Sequence, residues 1–513
     1  MSSVRLSPTA ILPESVALPP VIPESVGIVH LGWGAFHRAH QAIYTEDAMA
    51  KSGDLSWGIL GDVERTPVLV PALREQGGRF SVSSVDVDAD GNPVVDARVI
   101  GSVVDVAYPG EETGRLLAAM AAPTTRVITL TITEKGYCRL GDGNLDISQV
   151  EPDLAAFRDE LLSRSTNPES VQPAATAIGL LVRGLLARYQ AGQQPITVLS
   201  CDNMAHNGKV LRQVVDQFLA AVPGNDPAVL QAPLADFIDW VNVNTTWPSS
   251  MVDRITPAVT PEVLSQIEGT LGVRDEAGVA AEPFRQWVIE DNFASERPKW
   301  ELAGAEFVAD VAPWEEAKLR MLNGTHSLLA YAGRIHGYKT MAEAVNAPEI
   351  RPHAEMYMFA DATPSVTVPA GANLDEYGQG LLHRFANPAT GHTTQQVSTD
   401  GSQKIPFRWG GVLKHHLAAG RVPQGVAYGL AAWSEFVRRA VRDGVSLGDP
   451  ASEAELTAAV QGAGVADPAG VARALLAVPG ILPDGLSAES TTALTDAVVT
   501  DVEQLATETD GLV

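Results

Sequence analysis

Residues 26–45 read VGIVHLGWGAFHRAHQAIYT, and the fold is decided here. The apolar run VGIVHL is short enough for one buried strand, and it stops at Gly32-x-Gly34 before a helix-like stretch from His37 to Met49. Strand, glycine turn and helix in that order form the opening of a dinucleotide-binding βαβ unit. Glycines there permit a tight turn and bring bare backbone close to a pyrophosphate. The third glycine of the usual fingerprint is missing, and His37 stands in its place. A purely structural glycine turn is the competing reading of these residues.

Outward from this stretch the pattern repeats. WGILG (57–61) is a second short strand ending at Asp62, thirty positions after Gly32. An acidic group there suits the adenosine ribose and repels a 2′-phosphate, which favours NAD over NADP. Glu64 competes for that role, and a helix-capping Asp62 is the plain alternative. Phe36, His37 and Arg38 complete the expected cofactor-binding set with Gly32 and Gly34. RVITLTIT (126–133) and ITVLS (196–200) read as further buried strands. Strands alternating with helices over this part imply a doubly wound, mostly parallel sheet. Beyond Pro313 the segments KLRMLNGTHSLLAYAGRIHG, GVLKHHLAAG and VAYGLAAWSEFVRRAV have helical periodicity. The expected organisation is a Pro-rich arm over 1–24, a Rossmann-like α/β domain over 25–297 and a mainly helical domain over 298–513, with Arg297-Pro298 as connector.

The bulk properties set limits. A chain of 513 residues exceeds one core. The formal charge of −26 argues against nucleic acid or an anionic membrane as partner, and any anion site must be locally basic. Two cysteines, Cys138 and Cys201, form no disulfide framework. No apolar run reaches the ~18 residues of a membrane span, and the N-terminus lacks the layout of a signal peptide. A cytoplasmic protein is expected.

The segment richest in chemistry is Lys318-Leu-Arg-Met-Leu-Asn323-Gly-Thr-His326. On an α-helix Asn323 lies roughly 140° and His326 roughly 80° from Lys318 around the axis, so the three could share one side. A partly desolvated lysine acts as a base near neutral pH, and an amide stabilises a developing alkoxide without titrating. A solvated helix face is the competing reading. There is no H-E-x-x-H, no C-x-x-C and no Cys/His cluster, and His415-His416 are adjacent rather than convergent, so no metal is expected. A G-x-S-x-G elbow is also absent.

Taken together, IVHLGWGAFHRAHQAIYT (28–45), LTITEKGYC (130–138), SCDNMAHNG (200–208), SSMVDRITP (249–257), EPFRQWVIEDNF (282–293), KLRMLNGTHS (318–327) and TDGSQKIPFR (399–408) resemble the mannitol dehydrogenase family, in the family's order. The resemblance implies an NAD-dependent, metal-independent dehydrogenase of sugar-derived secondary alcohols, acting as a monomer. It implies Lys318 as general acid/base, Asn203 and Asn323 as oxyanion hole and His326 as a substrate contact. Asp253, Lys404, Lys135 and Gln396 are implied as substrate-binding positions and Glu134 as a proton gate. Mannitol 2-dehydrogenases carry TEGGYN where this chain has Thr133-Glu-Lys-Gly-Tyr-Cys138, and an arginine where it has Gln396. Both differences resemble the fructuronate reductase (D-mannonate oxidoreductase) branch. That makes D-fructuronate/D-mannonate the expected pair and D-mannitol/D-fructose or another polyol pair the alternative. Arg38, Lys135, Arg254, Arg285, Arg320, Lys404 and Arg408 are candidates for a basic pocket that would suit a uronate carboxylate or a pyrophosphate. A non-catalytic NAD-binding sensor on the same scaffold is the alternative outside enzymes. It would be expected to lose Lys318 or an oxyanion-hole asparagine, and this chain keeps them.

Overall fold

The run VGIVHL is the third of six strands in one sheet. The computed structural model describes residues 4–63, 67–87, 93–163, 171–222, 227–369, 371–388 and 391–510. Glu64 lies outside them. Strands β1 (Val26–Leu31), β2 (Gly58–Asp62), β3 (Val103–Ala107), β4 (Val127–Leu130), β5 (Ile196–Ser200) and β6 (Thr245–Thr246) are arranged β3-β2-β1-β4-β5-β6, every neighbouring pair parallel. The chain builds outward from β1 on one side, then returns to lay down β4 on the other. The strand order therefore reverses between β1 and β4, the place where open α/β sheets bind ligands beyond the strand C-termini.

Side chains alternate along these strands, and both faces are covered. Ile28, Ile59 and Val127 enter one core with Ile43, Met49, Trp287 and Trp300. Val29, Leu31, Leu60, Ile128 and Leu130 enter the other with Leu181, Val215 and Phe218. Burial on both sides explains why the strands read as unbroken apolar runs. The alternating segments around residues 80–100 stay out of this sheet. Phe80–Val87 pairs antiparallel with Pro93–Ile100, flanked by Val16–Ala17 and Val279–Ala281. The N-terminal arm is thus partly strand, and Leu6 and Val16 are buried with Leu271 and Val273.

The chain divides into two compact units, Met1–Val311 and Ala312–Val513. Arg297-Pro298 lies inside the first unit, not at its edge. Beyond it the Trp300 ring sits 4.5 Å from Trp287 and its Nε1 donates to Thr45 Oγ1 at 3.1 Å, while Glu306–Val308 pairs with Gln286–Glu290.

The first unit also carries α1 (Ala35–Ala39), α2 (Gln41–Ser52) and the single turn α3 (Thr133–Gly136). The second unit contains α4 (Ala312–Ala317), a π-helical turn over Lys318–Asn323, α5 (Gly324–Ile335), α6 (Leu374–Phe385), α7 (Thr394–Val397), α8 (Gly401–Ala418), α9 (Gln424–Asp443) and α10 (Ala488–Glu508), among other helices. Helix α9 is its axis: it packs against α5 and α10, and its buried Glu435 is held by Arg438 and Arg439 at 2.7 Å each. No helix among the described residues is long and apolar enough to cross a membrane.

Candidate functional site

In the first unit, parallel register brings three loops to the same edge of the sheet. Leu31, Leu130 and Ser200 are aligned, so the segments after β1, β4 and β5 leave side by side. Gly32 takes φ +83°, and a Cβ on it would collide with Thr131 O. Gly34 N donates to Gly32 O at 2.7 Å, and Trp33 N donates to Asp62 O at 2.7 Å, tying the turn to the end of β2. On Gly34 the nearest atom to an added Cβ would be Gly32 O, at 3.8 Å. The turn is tight on its inner side and bare backbone on its outer side, which fits a dinucleotide pyrophosphate. Asp62, the acidic residue expected at the ribose, ends β2 and is buried.

The other cofactor-site expectations change. His37 is fully buried and stacks on His30 of β1 at 3.6 Å. It fills the helix–strand contact that a third glycine would leave narrow, and burial pushes its pKa well below the ordinary value. Arg38 is also turned inward. Its guanidinium donates to Gly34 O at 3.2 Å and to Ala277 O and lies over the Trp33 ring, and burial pulls its pKa down to about 10. Both residues build the turn and do not face outward to a ligand. Phe36 is half-buried and stacks on His40 at 5.0 Å.

After β4, the loop carrying Glu134 and Lys135 is shaped by a residue the sequence reading missed. Asp202 accepts from Thr133 N at 2.7 Å and Ile132 N at 3.2 Å, and Tyr137 Oη donates to it at 2.9 Å. Burial raises the Asp202 pKa. The clamp holds Thr133 and Cys138 in the left-handed region, at φ +62° and +52°. The signal available in the sequence was position: Asp202 immediately precedes Asn203 at the end of a strand. Glu134, Lys135 and Asn203 are exposed, and the Lys135 ammonium makes no hydrogen bond or ion pair among the described residues. Asn207 donates to Asp202 O at 2.8 Å and Ser250 O at 2.7 Å, joining this loop to the strand Ser250–Asp253, whose last residue Asp253 is buried. Arg254 is bound to Glu282 O and Ala39 O, and Arg285 to Asp47 at 2.6 Å. These two arginines are framework, as Arg38 is.

In the second unit, Lys318 and Asn323 are the first and last residues of the π-turn. π-Hydrogen bonding runs i→i+5, so Asn323 comes back over Lys318 and the 140° offset of an ideal α-helix does not apply. Groups from elsewhere in the unit cap carbonyls around this turn. Tyr357 Oη donates to Arg320 O at 2.6 Å, Arg408 Nη1 to Asn323 O at 3.2 Å and Trp409 Nε1 to Gly324 O at 3.1 Å. Gly324 is required next to it, because a Cβ there would collide with Tyr357 Oη. Lys318 is 7% exposed and His326 8%. Glu315 stands three residues before Lys318, a spacing at which helical side chains meet.

His326 has an apolar wall in Phe385, 4.6 Å away, and the His392 ring stands perpendicular to it at 4.9 Å. Burial drives its pKa well below the ordinary value, and the charges it feels most are His392, Arg408, Arg384 and Lys404. The imidazole is therefore neutral near pH 7. Lys404 Nζ donates to Thr399 Oγ1 at 3.2 Å and lies 4.0 Å from Asp400. Arg320 turns away, bound to Glu316 at 2.6 Å and Ser365 O. Gln396, expected at the substrate, is exposed and forms a capping box on α7: its Oε1 accepts from Thr393 N at 3.2 Å while Thr393 Oγ1 accepts from Gln396 N at 3.1 Å. Its amide oxygen thus has a structural partner. Among the described residues no group of three His, Cys, Asp or Glu is placed to hold a metal ion.

Comparison with known proteins covers almost the whole chain. The mannitol dehydrogenase Rossmann domain family matches residues 26–302, and the mannitol dehydrogenase C-terminal domain family matches 310–506. The chain is 39% identical to D-mannonate oxidoreductase of Escherichia coli (strain K12) over 90% of this chain and 89% of that protein. It is 34% identical to a mannitol 2-dehydrogenase of Pyrenophora tritici-repentis over 80% of this chain and 69% of that one. The solved ternary complex of Pseudomonas fluorescens mannitol 2-dehydrogenase with NAD and D-mannitol superposes with a TM-score of 0.74 at 31% identity, covering 99% of this chain and 98% of the other.

Proposed function

The chain belongs to the mannitol dehydrogenase family of NAD-dependent oxidoreductases, and from that premise we propose that its substrates are the pair D-fructuronate and D-mannonate. The observation that carries the reading is Lys135: an exposed ammonium with no partner among the described residues, on a loop clamped by Asp202 beside the glycine turn. A uronate carboxylate matches such a cation, and fructose and mannitol have none to offer. The 39% identity to a D-mannonate oxidoreductase supports the same pair.

When bound, NAD supplies the hydride acceptor, and the protein's task is the proton and the charge left on oxygen. Lys318 takes the proton of the substrate hydroxyl and returns it in the reverse direction. Asn203 and Asn323 donate amide N–H groups to that oxygen as it gains charge. Neutral His326 hydrogen-bonds a substrate hydroxyl. Asp253 and Lys404 bind the rest of the substrate, and Glu134 exchanges the proton with solvent. None of these roles needs a metal, so exhaustive chelation should leave activity unchanged.

The test compares kcat/KM for D-fructuronate and D-fructose with NADH, and for D-mannonate, D-mannitol and D-arabinitol with NAD. The acid pair should lead by at least about 10-fold, the low end for a charge-assisted contact. Changing Lys135→Gly should lower fructuronate reduction by about 10- to 150-fold and leave fructose reduction nearly unchanged. A wild type that reduces fructose better than fructuronate would give the site to the second reading, D-mannitol/D-fructose, which the likeness to the mannitol-bound complex favours.

A further inference from the structure

Beside His326 the helical unit holds a second imidazole that the mechanism does not use. His392 lies just before α7, and its backbone carbonyl is fixed by Met341 N at 2.9 Å. Its Nδ1 is buried and has no hydrogen-bond partner among the described residues, and His326 Nε2 is in the same condition. A buried ring nitrogen without a partner forfeits a hydrogen bond unless something outside the chain completes it. The surroundings say what that is. Arg384, Lys404 and Arg408 all act electrostatically on His326, so a positive field covers this corner of a protein with net charge −26. Arg384 is the penultimate residue of α6, next to the Phe385 that walls His326, and is itself buried. Two acids also lie near Lys404: Asp400, at 4.0 Å, and Asp449.

We infer that His392, backed by Arg384, Lys404 and Arg408, is a specificity-determining residue whose Nδ1–H donates to the carboxylate at the end of the substrate opposite the reacting carbon. The inference rests on the reading of the substrate as a sugar acid. His326 follows Lys318 along the same helical run and lies 4.9 Å from His392, and the proposed order along the substrate is reacting hydroxyl, middle hydroxyl, carboxylate. A carboxylate has acceptor sites for several donors, so His392 need not be its only partner. It also accounts for Gln396: with that side chain engaged in capping α7, the positive partner of the substrate comes from α6 and α8.

The experiment measures kcat and KM for D-fructuronate and D-fructose, both with NADH, in wild type, His392→Ala and His392→Asn. The Asn amide nitrogen lies close to where Nδ1 was and restores a donor. The expected result is a loss of about 10- to 100-fold in kcat/KM for fructuronate in His392→Ala, carried by KM, with fructose changed by less than about threefold. His392→Asn should recover most of it. Equal losses for both substrates, or no loss for either, would overturn the inference and leave the fructuronate reading standing. A wild type that prefers fructose would remove both. Should His392→Ala fail to fold, His392→Asn decides alone, because near-wild-type discrimination supports the donor and its loss contradicts it.

Discussion

The two units treat their polar side chains in opposite ways. In the Rossmann unit, Arg38, Arg254 and Arg285 are tied to carbonyls and a carboxylate of the framework, beside a bare glycine turn and the exposed Lys135 and Asn203. In the helical unit, Lys318 is buried at the start of a π-turn, and His326 Nε2 and His392 Nδ1 have no hydrogen-bond partner among the described residues. The first unit sets a turn of bare backbone beside a few exposed side chains, and the second sets imidazoles beside a buried lysine's helix. This suits a reaction in which one partner is always the same dinucleotide and the other is a small sugar derivative that must be told from its relatives.

The largest effect that would sharpen this division is loss of the proposed base. Lys318→Ala should lower kcat/KM by at least about 100-fold, the low end for general acid–base catalysis, while NADH titration by fluorescence should change little. A parallel loss of NADH affinity would break the comparison. Next comes the turn that holds the base. Tyr357→Phe leaves the Arg320 carbonyl without its 2.6 Å donor. It should cost about 1–3 kcal/mol in urea unfolding and lower kcat more than it raises KM. On the other side, Asp62→Ala should narrow the preference for NAD over NADP by about 1–2 kcal/mol, roughly 5- to 30-fold, read from the ratio of kcat/KM values. An enzyme that already prefers NADP would show the carboxylate acting elsewhere. The smallest change is Gln396→Ala. It should cost about 1 kcal/mol or less in stability and leave kcat/KM for fructuronate unaltered. A large kinetic effect would return this residue to the substrate site.

These contrasts also explain what could be read from the sequence. The parallel sheet was legible because strands buried on both faces become short apolar runs, and the turn because Gly32 has a conformation that other residues rarely adopt. Side-chain direction was not. Arg38 sits in the fingerprint segment, yet its inward turn depends on Ala277, far along the chain. The π-turn was hidden for the same reason: its outside partners Tyr357, Arg408 and Trp409 are distant in sequence, and helical periodicity alone gives the α-helical angles. Gln396 is the exception, because Thr393-x-x-Gln396 spells a capping box that local reading could have found. The later domain boundary follows from Trp300, whose packing on Trp287 no spacing rule announces.

The account stands most directly on the amine of Lys318. Small primary amines, from methylamine upward, should be added to Lys318→Ala with saturating NAD and D-mannonate, and NADH formation followed across pH. The account predicts activity that rises with amine concentration and with the unprotonated fraction of the amine, since the missing group is a base. A variant that binds NADH normally and does not respond to any amine in the series would contradict it.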